Sequence, residues 1–261
     1  MSRARVILPP ALIVLLLLGA WEVAARTELL AERPGGQPLL VPAPSEVVEA
    51  LWEDRSLLFD DAWVTLQEVV AGFALALVLG VGFAIVLHLF EALRRAFYPL
   101  LIASQTVPII VVAPILVVWF GYGIGPKLAI IALICFFPIT VNTLDGLRSV
   151  DPDLIRMMRT LDAGRWQIMR RVEAPSALPF LFSGAKIAVA VAVIGAVFGE
   201  WVGSDSGLGH LMLQASAQLL TPRLFAAVAV LSVFAIALFA LLSLLERRVA
   251  WWGPRTGSGA S

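Results

Sequence analysis

Hydrophobic and polar positions separate into long blocks along this chain. Apolar runs cover residues 6–25, 63–89, 98–120, 127–144, 180–201 and 222–245. Most approach or exceed the roughly 20 residues that cross a bilayer as a helix. A soluble helical protein would show shorter apolar stripes at 3.6-residue spacing. The pattern predicts an all-α, polytopic membrane protein with six transmembrane helices. Residues 1–26 form the first helix and 27–62 an extracytoplasmic loop holding a short helix. Residues 63–246 form a core of five spans, and 247–261 a cytoplasmic tail. The longest polar interruption, loop 146–179, separates the fourth span from the fifth.

Punctuation refines this outline. Arg3 and Arg5 before a Leu-rich run resemble a signal peptide, and Val23–Ala25 resembles a cleavage site. The run is long for a signal core and Trp21 suits an interfacial anchor, so an uncleaved first span is expected. Ser45 is expected to cap the short outer helix, with Glu46 and Glu49 in its first turn. "FEALRRAF" (90–97) is expected to be a basic turn. Pro99, Pro108 and Pro114 should kink the third span. "GYGIGPK" is a tight turn, with Pro126 opening the next helix. Thr221–Pro222 opens the sixth span. Two spans carry small residues four apart: Gly72, Ala76, Gly80 and Ala84 on the second, and Gly184, Ala188, Ala192 and Ala196, with Gly195, Gly199 and Gly203, on the fifth. Such rows let another helix backbone approach closely, so Gly72, Gly80, Gly195 and Gly199 are packing residues.

Composition agrees with a membrane chain: 60% hydrophobic and only 15% charged residues, against about 25% charged in soluble domains. The 19 basic and 19 acidic residues cancel, and no basic domain points to nucleic acid. Placement is more informative. With both termini on one side, Arg26, Arg33, Arg55, Lys127 and Arg223 lie outside and the other fourteen basic residues inside. That asymmetry places both termini in the cytoplasm. Cys135 is the single cysteine, so no internal disulfide exists, and it is expected to fill core space.

The polar interruption has its own design. Asp151 is expected to cap a helix opened by Pro152 and ending near Ala163–Gly164, and Asp153 complements its dipole. A second short helix, "RWQIMRRVEA", runs into Pro175. Together they display Met157, Met158, Leu161, Trp166, Ile168 and Met169 among arginines. Methionines and a tryptophan ringed by arginine suit a protein-binding knob. An amphipathic segment lying on anionic lipid fits the same residues.

The stretch "LDAGRWQIMRRVEAPSALPF" resembles the signature loop of binding-protein-dependent ABC-importer permeases, whose pattern is E-A-A, three residues, G, nine residues, I-x-L-P. Here Arg156, Met157 and Met158 fill the E-A-A positions, Asp162 stands at the glycine, and "VEAP" (172–175) at I-x-L-P. The flanks "DGLRSVDPDL" and "APSALPFLFSGAKIA", and upstream "QTVPIIVVAPILVVWFGYG" and "CFFPITVNTLDGL", are similar to the same family. The likeness spans about Pro42 to Leu245. The wording is nearest the nitrate, sulfonate, taurine and thiamine-pyrimidine-precursor importers, especially the last. The lost glutamate removes a group that seats the loop, and Gly164 is expected to supply the bend.

The resemblance implies a plasma-membrane permease subunit of an ATP-driven importer, without catalysis of its own. Two copies would pair, a cytoplasmic ATPase dimer holding ATP and magnesium would dock below, and an extracytoplasmic binding protein would deliver a small organic nutrient. It implies that Met157, Met158, Leu161, Asp162, Ala163, Gly164, Arg165, Trp166, Met169 and Pro175 couple to the ATPase. The chain has no phosphate-binding loop of its own, and its two histidines, His88 and His210, lie in different segments, so neither a bound cofactor nor a metal is expected. His88 is read as a helix-end dipole partner, and Lys186 as snorkelling toward the cytoplasm. Polar residues at depth need a reason: Gln105, Thr106, Asn142, Glu68 and Glu200 are candidates for the translocation path. Against that stand interhelical hydrogen bonding for Gln105 and Asn142 and interfacial placement for the two glutamates. A sulfonate, taurine or nitrate permease is the alternative cargo class. A stand-alone channel or secondary transporter is the alternative mechanism; it would need its own coupling charges.

Overall fold

The computed structural model describes residues 3–27 and 41–252, and of residues 3–11 the backbone alone. Arg33, Arg255 and most of the expected tail lie outside the described residues. All regular structure among the described residues is helical. The helices are α1 (Arg3–Arg26), α2 (Pro44–Glu53), α3 (Arg55–Leu89), α4 (Glu91–Ser104), α5 (Ile109–Phe120), α6 (Ile124–Arg148), α7 (Pro152–Thr160), α8 (Arg165–Ile168), α9 (Ala174–Gly203), α10 (Leu208–Ala217) and α11 (Thr221–Val249). A π turn, Met169–Glu173, joins α8 to α9, so residues 165–203 are one continuous helical run. Four runs are long and apolar enough to cross a membrane: α3, α6, 165–203 and α11. The bent pair α4–α5 makes a fifth if counted as one span. The expected first span coincides with α1, a helix of 24 residues.

The chain divides into two compact units, residues 1–64 with 206–232, and residues 65–205 with 233–261. In the first unit, polar contacts fasten the ends of apolar helices. Glu22 of α1 accepts from the backbone N–H of Ser45 at 3.0 Å and from its hydroxyl at 2.8 Å. Ser45 is therefore occupied by α1. The residue preceding α2 is Ala43, whose N–H is bound by Glu46 at 2.9 Å; the helix begins at Pro44, whose missing N–H needs no partner there. Asp54 takes both nitrogens of the Arg223 fork at 2.7 Å, and Asp61 accepts from the Gly207 N–H at 2.7 Å.

The second unit is built around α6. Helices α3 and α9 both turn their small-residue rows onto it. A Cβ added at Gly72 would stand 2.6 Å from Ile131 Cβ, and one at Gly80 2.9 Å from Ile139 Cγ2. On α9, a Cβ at Gly184 would meet the Pro138 carbonyl at 2.5 Å, and one at Gly199 would crowd Lys127 at 3.3 Å. Ala76, Ala84, Ala188, Ala192 and Ala196 are fully buried along these seams. The rows lock against the branched residues of α6, because the ridges of one helix fill the notches of the next. Cys135 sits in this seam and its thiol donates to the Ala188 carbonyl at 3.3 Å.

Further expectations change. The second span begins at Arg55, eight residues into the expected outer loop. The third apolar run is broken: α4 and α5 meet at 103°. Pro108 is responsible, since it lacks an N–H and pushes Val107 out of helical geometry, whereas Pro99 and Pro114 remain inside helices. The basic stretch 90–97 is the first half of α4, apart from Phe90 at its cap. The fifth span does not begin at Phe180, because no break separates it from Arg165. The expected "GYGIGPK" turn is confined to Gly121–Gly123, where both glycines take positive φ, at 76° and 122°; the next helix opens at Ile124, two residues before Pro126.

Candidate functional site

The elbow between α6 and α9 begins as its residues dictate. The Asp151 carboxylate accepts from the Asp153 N–H at 2.8 Å, and Pro152 opens α7. Arg156 then pairs with Asp153. The helix ends at Thr160, three residues before the expected stop, and the reversal falls on Asp162. Its φ is +59°, a left-handed conformation that costs a side chain of the L series and favours glycine. Gly164, expected to supply the bend, is extended at φ −67°. The position where the resembling family has glycine is thus the position that needs one, and here an aspartate fills it.

The elbow displays an apolar surface that the chain does not cover. Met157 is 52% exposed, Leu161 71% and Trp166 71%. Met158 and Ala163 are half-buried and Gly164 and Arg165 exposed. Two expected members of this surface are not on it. Ile168 and Met169 are buried, and Met169 packs with Leu147 and Ala177, with Ile85 against them. The uninterrupted helix turns these two inward, where a separate short helix would have left them on display. Pro175 is half-buried, and its carbonyl accepts from the Trp252 indole at 3.3 Å.

Behind the elbow lies a charged group that sequence reasoning missed. Glu173, in the π turn, is 1% exposed. Its Oε2 accepts from His88 Nε2 at 3.0 Å and its Oε1 from Arg165 Nη1 at 3.1 Å. His88 is thus a hydrogen-bond partner of Glu173, not only a helix-end residue. The available signal was Glu173 itself, a carboxylate among apolar neighbours in "RRVEAP".

A second cluster gathers α3, α6 and α9. Lys127 Nζ donates to Glu68 Oε1 at 2.6 Å and to Ser204 Oγ at 2.5 Å. The Thr65 hydroxyl donates to Glu200 Oε1 at 2.6 Å. Glu68, Lys127 and Glu200 are all buried. Both glutamates are therefore enclosed by protein, and Lys127 is a buried residue of α6 and no loop charge. Each of these charges tolerates burial because partners replace water. Lys186 likewise pairs with Glu246 at 2.8 Å.

Of the path candidates, Gln105 and Thr106 are exposed, and Asn142 is half-buried. Gln105 borders a hollow of about 210 Å³ at the α4–α5 break, beside Ser104, Val107, Ile109, Leu133 and Ile134. The Thr106 hydroxyl turns back to the Ala103 carbonyl at 2.8 Å, and the Asn142 amide to Pro138 at 2.8 Å. Glu68 and Glu200 are held in the ion cluster. Among the described residues no three His, Cys, Asp or Glu side chains gather as a metal site.

Long apolar helices and an elbow with an uncovered apolar tip define a polytopic helical membrane protein. The chain belongs to the family of binding-protein-dependent transport system inner membrane components, whose profile matches residues 72–251. It is 40% identical to the formylaminopyrimidine transport permease ThiX of Halalkalibacterium halodurans, over 97% of this chain and 98% of that one. It is 37% identical to the riboflavin transport permease RibX of Chloroflexus aurantiacus, over 92% of this chain and 88% of that one. The putative aliphatic sulfonates permease SsuC of Bacillus subtilis is 31% identical over 75% of this chain and 71% of its own length. The fold matches the inward-facing MetNI methionine ABC transporter with a TM-score of 0.65, at 21% identity, covering 75% of this chain and 97% of that one. The protein is a permease subunit of an ABC importer, a multi-pass component of the inner membrane.

Proposed function

We propose that this permease imports a pyrimidine precursor of thiamine, driven by a separate ATPase that docks on the elbow. In this reading ATP and magnesium are held by the partner, and the chain binds neither. A second copy of the permease completes the pathway. An extracytoplasmic binding protein delivers the cargo. Helix α1 is a sixth span and both termini are cytoplasmic, in keeping with the fourteen-to-five bias of basic residues.

The observation that carries the docking assignment is the exposed trio Met157, Leu161 and Trp166, with Leu154 also exposed beside them. Desolvated aromatic anchors dominate such interfaces, each contributing about 2 kcal/mol or more. Met157→Glu with Trp166→Glu is expected to weaken co-purification of the ATPase by at least about thirtyfold, while the permease still inserts. Retention of the ATPase by this double variant overturns the assignment.

The cargo assignment is supported by the 40% identity with a formylaminopyrimidine permease along nearly the whole chain. A flavin-like cargo is the second reading, favoured by the 37% identity with the riboflavin permease; both are nitrogen heterocycles. Gln105 is the proposed path residue, since its carboxamide borders the hollow at the broken span and can meet ring nitrogens. Uptake of labelled formylaminopyrimidine, riboflavin and taurine into vesicles holding the complete transporter decides among them. Transport of taurine alone would refute a heterocyclic cargo.

A further inference from the structure

Glu173 joins three elements that an elbow must move together. His88 is the penultimate residue of α3, Arg165 is the first residue after the elbow turn, and Glu173 lies in the π turn leading into α9. A buried carboxylate needs compensating donors, and both of its oxygens are engaged, one from each side. A carboxylate only accepts, so the His88 Nε2–H is the donor. The π turn is a local widening of the helix of a kind found at functional sites. Here it sets Glu173 in the buried layer between Ile168 and Ala177. At this level Ile85 of α3 also packs on Leu147, Met169 and Ala177. The charged bridge is the directional link between the elbow and the end of the second span.

We propose that Glu173 is a positioning residue for transport, carrying motion of the ATPase-bound elbow through His88 into α3, with Arg165 as its partner on the elbow side. This rests on the reading that the elbow docks the ATPase. Packed contacts slide by small amounts, whereas a buried hydrogen bond such as His88–Glu173 is either made or broken. Such two-arrangement contacts convert a small displacement into a change of state.

The test uses the complete transporter with its ATPase and binding protein in proteoliposomes. Three quantities are read: ATPase retained, ATP hydrolysed, and labelled formylaminopyrimidine imported per ATP. Methionine and glutamine fill similar space at position 88, but only glutamine offers a donor near the place of His88 Nε2. His88→Met is expected to lower import per ATP about tenfold, within the usual range of coupling between sites, with the ATPase retained. His88→Gln is expected to restore it to within about threefold of wild type. Glu173→Met should match His88→Met, and the double variant should be no worse than either alone, as for residues acting through one link. Import per ATP unchanged in His88→Met, or His88→Gln as poor as His88→Met, overturns the proposal. Losses that multiply in the double variant also overturn it. If Glu173→Met fails to assemble, the two His88 variants decide alone. Failure of the docking reading shows separately, as ATPase retained after Met157→Glu with Trp166→Glu.

Discussion

Replacing Lys127 with methionine should destabilise the protein strongly, and the cluster around it sets the magnitude. The ammonium lies 2.6 Å from Glu68 Oε1 and 2.5 Å from Ser204 Oγ. Glu68 is 3% exposed, and its Oε2 has no hydrogen-bond partner among the described residues. Removing Lys127 strands this carboxylate. Breaking a buried pair in this way costs about 3–5 kcal/mol, against about 0–1 kcal/mol for an exposed pair. For a chain of this size about 1 kcal/mol moves Tm by about 2–4 °C. Lys127→Met should therefore lower Tm by about 6–20 °C. Adding Glu68→Leu should recover most of the loss, because an apolar pair of similar volume is often as stable as the buried ions. Cys135 provides the assay. It is the sole cysteine, fully buried, so a fluorogenic maleimide reports unfolding of the α6 seam during a thermal ramp in detergent. A fall below about 2 °C for Lys127→Met, or a double variant no more stable than the single, would refute the argument.

The same assay checks two further contrasts. Gly184→Ala drives a methyl to 2.5 Å from the Pro138 carbonyl and should cost about 1–3 kcal/mol. Gly82→Ala meets nothing within 4 Å and should be neutral or stabilise α3 by up to about 1 kcal/mol. Asp162→Gly should stabilise the elbow by about 1 kcal/mol by relieving its left-handed backbone, measured as slower proteolysis there, while Asp162→Val should speed it. Gly164→Ala should change nothing beyond about 0.5 kcal/mol, because its backbone is extended and its surroundings are open.

The features legible in the chain were those whose energy is local. Block length against bilayer thickness marked the four long apolar helical runs, and the Asp151–Pro152 cap marked the start of the elbow helix. The glycine rows announced close-packed faces, since only small residues permit backbone approach. The alignment of Asp162 with a glycine marks the strained turn, whereas Gly164, the nearest glycine, is extended.

What only the tertiary structure decided was which partner each polar group meets. Thr65 and Glu200 lie 135 residues apart, His88 and Glu173 85, and Glu68 and Lys127 59. In hydrocarbon a lone charge is costly wherever it stands, so the sequence alone signals that a partner is needed without saying which one. That choice follows from α3 and α9 packing against the same helix, which brings their buried side chains to common levels. The inward turn of Met169 has the same origin. Continuity of the helix from Arg165 to Gly203 sets its rotation, and the packing of thirty residues beyond it overrides the amphipathic pattern of ten.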